Sequence, residues 1–221
     1  MKHIFNVGMI LALLGLSSCG QASKNVDAVE SGACQSEQKI EADQQNMVVE
    51  TIMARRSIRK YKSQAVEDAK LQEILKCGIN APNGMYKESW AVRVVQTPEL
   101  IEEIDKGFTA FREKQGAKRK MHASYGAPCL IFIANDTTYE LSQVDCGLLG
   151  GNMILAAQSM GLGTCCLGGI VRYINSPEGA EILKRLDLPE SCHLLYAISV
   201  GYPDESPAGK PRNAEKIKFI Q

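Results

Sequence analysis

The run Arg55-Arg56-Ser57-Ile58-Arg59-Lys60-Tyr61 gathers the side chains with the clearest chemistry in this chain. A guanidinium is a planar fork whose N–H groups match phosphate oxygens two at a time. A serine hydroxyl adds a neutral donor or acceptor. Such a run is either a solvated basic patch or one wall of a cradle for a small phosphorylated ligand. Far along the chain, Lys210-Pro211-Arg212 supplies two more cations, which would form the other wall.

Short elements must position those groups. Asn46 is a candidate cap for a helix with Val48 and Ile52 on one face. That helix runs into the basic segment, so its core-facing residues would fix where Arg55 and Arg56 point. Residues 67–79 carry Leu71, Ile74, Leu75 and Gly78 at helical spacing. The helix stops at Ala81-Pro82-Asn83-Gly84, a strong breaker. Residues 91–96 read as a strand. Thr97-Pro98 pairs a cap with proline at the first helical position. Residues 99–121 continue as a polar helix with Phe108 and Phe111 on its surface, an expected mobile lid over a pocket.

Residues 128–134 form a continuous apolar strand, expected to be buried on both faces. Residues 140–160 predict the most apolar helix, in which Gly147, Gly150 and Gly151 would permit close helix approach. It reads as a central core helix or as an interface helix. Gly161 to Gly169 is a glycine-dense loop. It lacks the closing Lys-Ser/Thr of a nucleotide phosphate loop and the spacing of a dinucleotide fingerprint. Its glycines would let a flat ring approach the backbone. Ser176-Pro177-Glu178 opens a further helix, and residues 193–200 are the last strong strand. Strands and helices do not alternate regularly, so the class is α+β, one layered sheet flanked by helices.

The N-terminus carries an address. Lys2 precedes an apolar run from Ile4 to Leu16, shorter than the roughly 20 residues of a membrane span. Leu16-Ser17-Ser18-Cys19 follows and resembles the lipobox of bacterial lipoproteins, which implies lipidation at Cys19. Residues 1–18 are therefore expected to be a lipoprotein signal peptide, 19–46 a flexible polar tether, and 47–221 one domain. The expected location is the cell envelope, lipid-anchored on the periplasmic or surface face of a bacterial membrane. Removing residues 1–18 removes Lys2 and no acid, leaving 24 basic against 25 acidic side chains. That balance gives no global attraction to nucleic acid. Seven further cysteines (Cys34, Cys77, Cys129, Cys146, Cys165, Cys166 and Cys192) have irregular spacing, which disfavours a zinc site and suits small core hydrophobes.

The paired motifs resemble the nitroreductase family of FMN enzymes, over about residues 47–221. Arg55, Arg56, Ser57 and Arg59 match that family's opening phosphate motif, and Lys210 and Arg212 its closing one. Leu167, Gly168 and Gly169 match the loop along the isoalloxazine. The resemblance implies a homodimer with a central mixed or antiparallel sheet and each FMN at the subunit interface. It also implies ping-pong hydride transfer from NAD(P)H, or another electron donor, through FMN to a small nitroaromatic or quinone-like acceptor. No side-chain nucleophile or base is required, so no catalytic residue is named.

The family pattern departs at residues 81–90. Pro82 and Trp90 stay, and Asn83 lies between them, but Tyr86, Glu88 and Ser89 stand where the family has Asn, Gln and Pro. Pro82, Asn83, Tyr86 and Glu88 remain candidate cofactor contacts. An ionised Glu88 would accept a hydrogen bond from a ribityl hydroxyl but would donate none. The expectation is a bound flavin with a narrowed or shifted substrate range. A flavin-binding lipoprotein without turnover is the alternative.

Overall fold

Residues 129–134 are apolar throughout because they are covered on both faces. The computed structural model describes residues 46–119 and 121–221; the expected signal peptide, Cys19, Cys34 and nearly all of the tether lie outside the described residues. Strands β1 (Trp90–Val95), β2 (Cys129–Asp136), β3 (Gly163–Leu167) and β4 (Cys192–Gly201) form one sheet in the order β1-β2-β4-β3. Every strand pair is antiparallel, and the β2–β4 register shifts once, between Ile133 and Ala134. The helices are α1 (46–54), α2 (Asp68–Ile79), α3 (Pro98–Lys114), α4 (Ser142–Ser159), α5 (Gly169–Ile174) and α6 (Ala180–Arg185). This is the expected α+β class.

Side chains alternate across a strand, so β2 feeds two cores. Leu130, Phe132 and Ala134 pack with Ile101, Ile104 and Phe108 of α3 and with Ile170 and Ile174 of α5. Cys129, Ile131 and Ile133 pack with Leu71 and Ile74 of α2 and with Cys146, Leu149 and Met153 of α4. Each fully buried aliphatic or aromatic side chain contributes about 1.5–3 kcal/mol. Cys129, Cys146 and Cys165 are buried free thiols, and burial pushes Cys129 up to about 12, so it packs as a neutral hydrophobe.

Four expectations change. Helix α3 is no lid: Ile101, Ile104 and Phe108 are buried against the sheet, and the helix ends at Lys114. Its charged residues mask a helical apolar stripe. The glycine-dense stretch is not all loop, because Thr164, Cys165 and Cys166 pair with Val200, Ser199 and Ile198. The turn from α4 into β3 uses Gly161 at φ +74, a left-handed conformation open to glycine. The face of α1 with Val48 and Ile52 does not meet this chain's core: Val48 is 62% exposed, and Met47, Val49, Ile52 and Met53 are exposed too. Within this chain the α4 glycines seat no other helix. Gly147 and Gly151 face open space, whereas a Cβ on Gly150 would land on the Tyr196 hydroxyl. That hydroxyl donates to the Cys146 carbonyl at 2.7 Å.

Gly150→Ala therefore overpacks a filled space. We expect it to lower unfolding free energy by about 1–3 kcal/mol in urea denaturation. Adding Tyr196→Phe should restore part of the loss, since it removes the atom struck; no recovery in the double variant would refute the steric account.

Candidate functional site

The basic segment is held by backbone pairing on two sides. On one side, the Ile58 N–H donates to the Thr164 carbonyl at 2.9 Å, and Ser57 bridges Thr164 in parallel at the edge of β3. Ile58 is buried because Gly163 leaves room for it. On the other side, the Lys62 N–H donates to Tyr202 O and the Asp204 N–H to Lys60 O, both at 2.9 Å. Tyr61 bridges Pro203, and its hydroxyl donates to Ile58 O at 2.8 Å beside the Ser199 hydroxyl, also at 2.8 Å. Three stretches distant in sequence (55–62, 163–169 and 202–209) are thereby laid together.

The backbone leading to the tail's cations is held at this segment. Arg56 donates from Nη1 to Met53 O at 2.6 Å and to Arg55 O at 2.8 Å. Its Nη2 lies 2.8 Å from where a Cβ of Gly209 would stand, so the backbone just before Lys210-Pro211-Arg212 rests on that guanidinium. Among the described residues, Arg55, Arg56, Arg59, Lys210 and Arg212 form no ion pair with a carboxylate, although neighbouring Lys60 pairs with Asp204 at 3.0 Å. The Arg59 N–H donates to a Glu205 carboxylate oxygen at 2.5 Å, a contact that clamps the tail to the motif. Unpaired cations at this density suit a dianion.

Arg59 lines a recess of about 100 Å³, whose walls include Cys166, Leu167, Gly168, Gly169 and Tyr125. A Cβ added to Gly168 would meet nothing, whereas one on Gly169 would touch Phe108 at 3.4 Å. The backbone at Gly168 is thus open to a flat ring. Ligand pockets usually enclose about 300–1,000 Å³, so this recess is a floor that needs further cover. Cys165 behind it is no thiolate: burial raises its pKa, with Arg59, Ser57 and Arg55 pulling the other way. A phosphate at the cationic end and a planar heteroaromatic ring beside Gly168 fit these residues.

The Pro82–Glu88 loop stands elsewhere. None of Pro82, Asn83, Tyr86 and Glu88 lines the recess. Asn83 spends its side-chain oxygen on the Glu88 N–H at 3.1 Å. Met85, Tyr86 and Glu88 hold φ of 54°, 55° and 46°, and Tyr86 is 94% exposed. Non-glycine residues rarely adopt this region, so the loop stores strain. Asp145 of α4 restrains it, accepting from the Gly84 N–H at 3.0 Å and the Ser89 hydroxyl at 2.7 Å. Lys87 caps the Tyr139 ring at 4.5 Å. Ser89, where the family carries proline, is thus a buried structural donor.

Sequence reasoning missed Asp145, Glu205 and Tyr125. An acid inside an otherwise apolar helix was the signal for Asp145. Nothing in the sequence marks Glu205 or Tyr125, whose roles come from tertiary contact.

Comparison with known proteins identifies the family and the fold. The profile of the Nitroreductase family matches residues 52–202. An NADPH-flavin oxidoreductase of Vibrio harveyi is 29% identical over 76% of this chain and 70% of its own. An NAD(P)H nitroreductase of Methanothermobacter thermautotrophicus, named as putative, is 30% identical over 72% and 79%. Among solved structures, an FMN-bound nitroreductase of Desulfitobacterium hafniense superposes with a TM-score of 0.71 at 28% identity, covering 79% of this chain and 98% of its own. An FMN-bound nitroreductase of Bacteroides fragilis gives 0.69 at 29% identity, covering 79% and 98%. The family match takes in both faces of the sheet and the opening cationic motif, and the chain belongs to the nitroreductase family.

Proposed function

We propose that this protein is an FMN-dependent oxidoreductase of the nitroreductase type. The observation that supports the reading is Arg56 packed against Gly209, just before Lys210 and Arg212, with Arg59 lining a recess that has open backbone at Gly168. Arg55, Arg56, Ser57, Lys210 and Arg212 would hold the phosphate, and Arg59 with Leu167, Gly168 and Gly169 the ring. Bound FMN supplies two-electron hydride chemistry, in two half-reactions from a reduced nicotinamide to a nitroaromatic or quinone-like acceptor. The protein's own contribution is binding and orientation, with reacting atoms brought to about 3–3.5 Å.

A homodimer completes this site. Helix α1 leaves an apolar groove of about 860 Å³, lined by Met47, Val48, Ile52, Cys77 and Leu155, with a polar edge at Asn152. Gly147 and Gly151 on α4 leave open space for close approach. A second copy docked there would cover the recess, with the strained Pro82–Glu88 loop of each chain reaching the other's flavin. Tyr86 and Glu88 would then shape the acceptor side and shift the substrate range.

The N-terminal pattern supports lipidation at Cys19 and an envelope location, with residues 19–46 as tether. NAD(P)H is confined to the cytosol, so in that compartment a membrane quinol or a partner protein would serve as electron donor. The unusual 86–89 segment favours a second reading, a flavin carrier without turnover.

Four outcomes test these readings. The purified protein should be yellow and should bleach anaerobically with NADPH, NADH or a soluble quinol; a yellow protein that none of the three bleaches supports the carrier. Arg55→Ala should weaken FMN binding at least about tenfold in a fluorescence titration, since a charge-assisted contact contributes about 1.5–3 kcal/mol. Undiminished retention would count against the phosphate assignment. Tyr86→Asn should change the ratio of turnover between nitroaromatic and quinone acceptors, and identical ratios sink the specificity role. Cys19→Ala should move the protein from the membrane fraction to the soluble fraction, and unchanged fractionation would exclude the lipid anchor.

A further inference from the structure

The strip 121–126, between α3 and β2, separates two cavities. Met121, Ala123 and Tyr125 line the recess at Arg59, whereas His122, Ser124 and Gly126 line a separate cavity of about 430 Å³ on its other side. A carboxylate on α3 clamps this strip. Asp105 is 6% exposed and accepts from the Ser124 N–H on Oδ1 at 2.8 Å and from the Ser124 hydroxyl on Oδ2 at 2.6 Å. His122 Nδ1 lies 3.3 Å from Oδ2, and the Gly126 N–H donates to Ser124 Oγ at 3.0 Å. Thr109 adds a bond from its hydroxyl to the Met121 carbonyl at 3.2 Å. No lysine or arginine pairs with Asp105 among the described residues, although Lys106 and Glu102 sit on the same cavity and Lys106 pairs with Glu102. A buried carboxylate costs desolvation, and here the donors of this strip are what offset it.

The clamp ends at Tyr125. Its φ is 56°, a conformation uncommon for a bulky residue, and its ring packs under the Arg59 guanidinium at 5.9 Å. The redox chemistry proposed above uses neither Tyr125 nor Asp105. We propose that Tyr125 is the specificity-determining wall of the ring-side recess, and that Asp105, acting through Ser124, is the positioning residue that holds it there. This inference rests on the FMN reading of the site. A planar molecule entering beside the ring shares the recess with the tyrosine, so single-ring compounds fit and fused-ring compounds collide.

The test uses the full chain loaded with FMN and two inert aromatic probes, benzoate and 2-naphthoate, followed by their perturbation of flavin absorbance. Tyr125→Gly removes the ring and suits the positive φ. It should favour 2-naphthoate over benzoate by about tenfold more than the wild type does, the scale of steric discrimination in a pocket. Ser124→Ala and Asp105→Asn keep the ring but loosen the strip. They should speed hydrogen exchange across 121–126 and move the probe ratio in the same direction by less. An unchanged ratio in Tyr125→Gly overturns the proposal, and so does loss of FMN from that variant, which would make Tyr125 a cofactor ligand. Faster exchange with an unmoved ratio in Ser124→Ala removes the positioning role of Asp105, and that variant serves if Asp105→Asn does not fold. A wild-type protein that binds no FMN defeats the parent reading, and is seen before any variant is made.

Discussion

The hydrogen bond from the Ile58 N–H to Thr164 O, with the matching pair between 60–62 and 202–204, is the constraint on which the site depends. Arginine side chains are long and lose much rotamer freedom when fixed. Pinning the backbone on both sides lowers the remaining cost of aiming Arg55, Arg56 and Arg59. Without it, the same residues would be a surface charge patch. The flanking glycines make the pairing possible: Gly163 admits Ile58, and Gly201 admits the Tyr61 ring and Pro128.

Much of the fold was legible because it rests on periodicity. The apolar run at 128–134 announced a strand covered twice, and Leu71, Ile74 and Gly78 marked the buried face of α2. Helix α3 was misread because its stripe is narrow. Ile101, Ile104 and Phe108 are three or four residues apart among charges, which reads as polar until the sheet beneath them is known. β3 was misread for the opposite reason. Five residues flanked by glycine carry too short a pattern, and pairing with β4 decided the outcome.

The site was half legible. The cationic motifs and Gly168-Gly169 stood out because clustered guanidinium groups and adjacent glycines each suit a particular chemistry. The loop at 84–88 could not be drawn, because left-handed residues are expected to be glycine or asparagine, and here they are Met85, Tyr86 and Glu88. Asp145 helps to hold them with two hydrogen bonds, beside the Asn83–Glu88 bond and the Lys87–Tyr139 contact. The same holds for Tyr125, whose environment is set by Asp105 from twenty residues upstream.

The stitching of 55–62 to 163–164 and 202–204 has a consequence for biosynthesis. The ribosome releases the chain from its amino end, so the first cationic strip emerges with neither of its partners yet made. The edge of β3 appears next, and the closing segment last. Nascent polypeptide therefore lacks this three-part junction until nearly all of it has been translated. A ligand gripped by all three segments could enter only at a late stage, after the closing segment has left the ribosome.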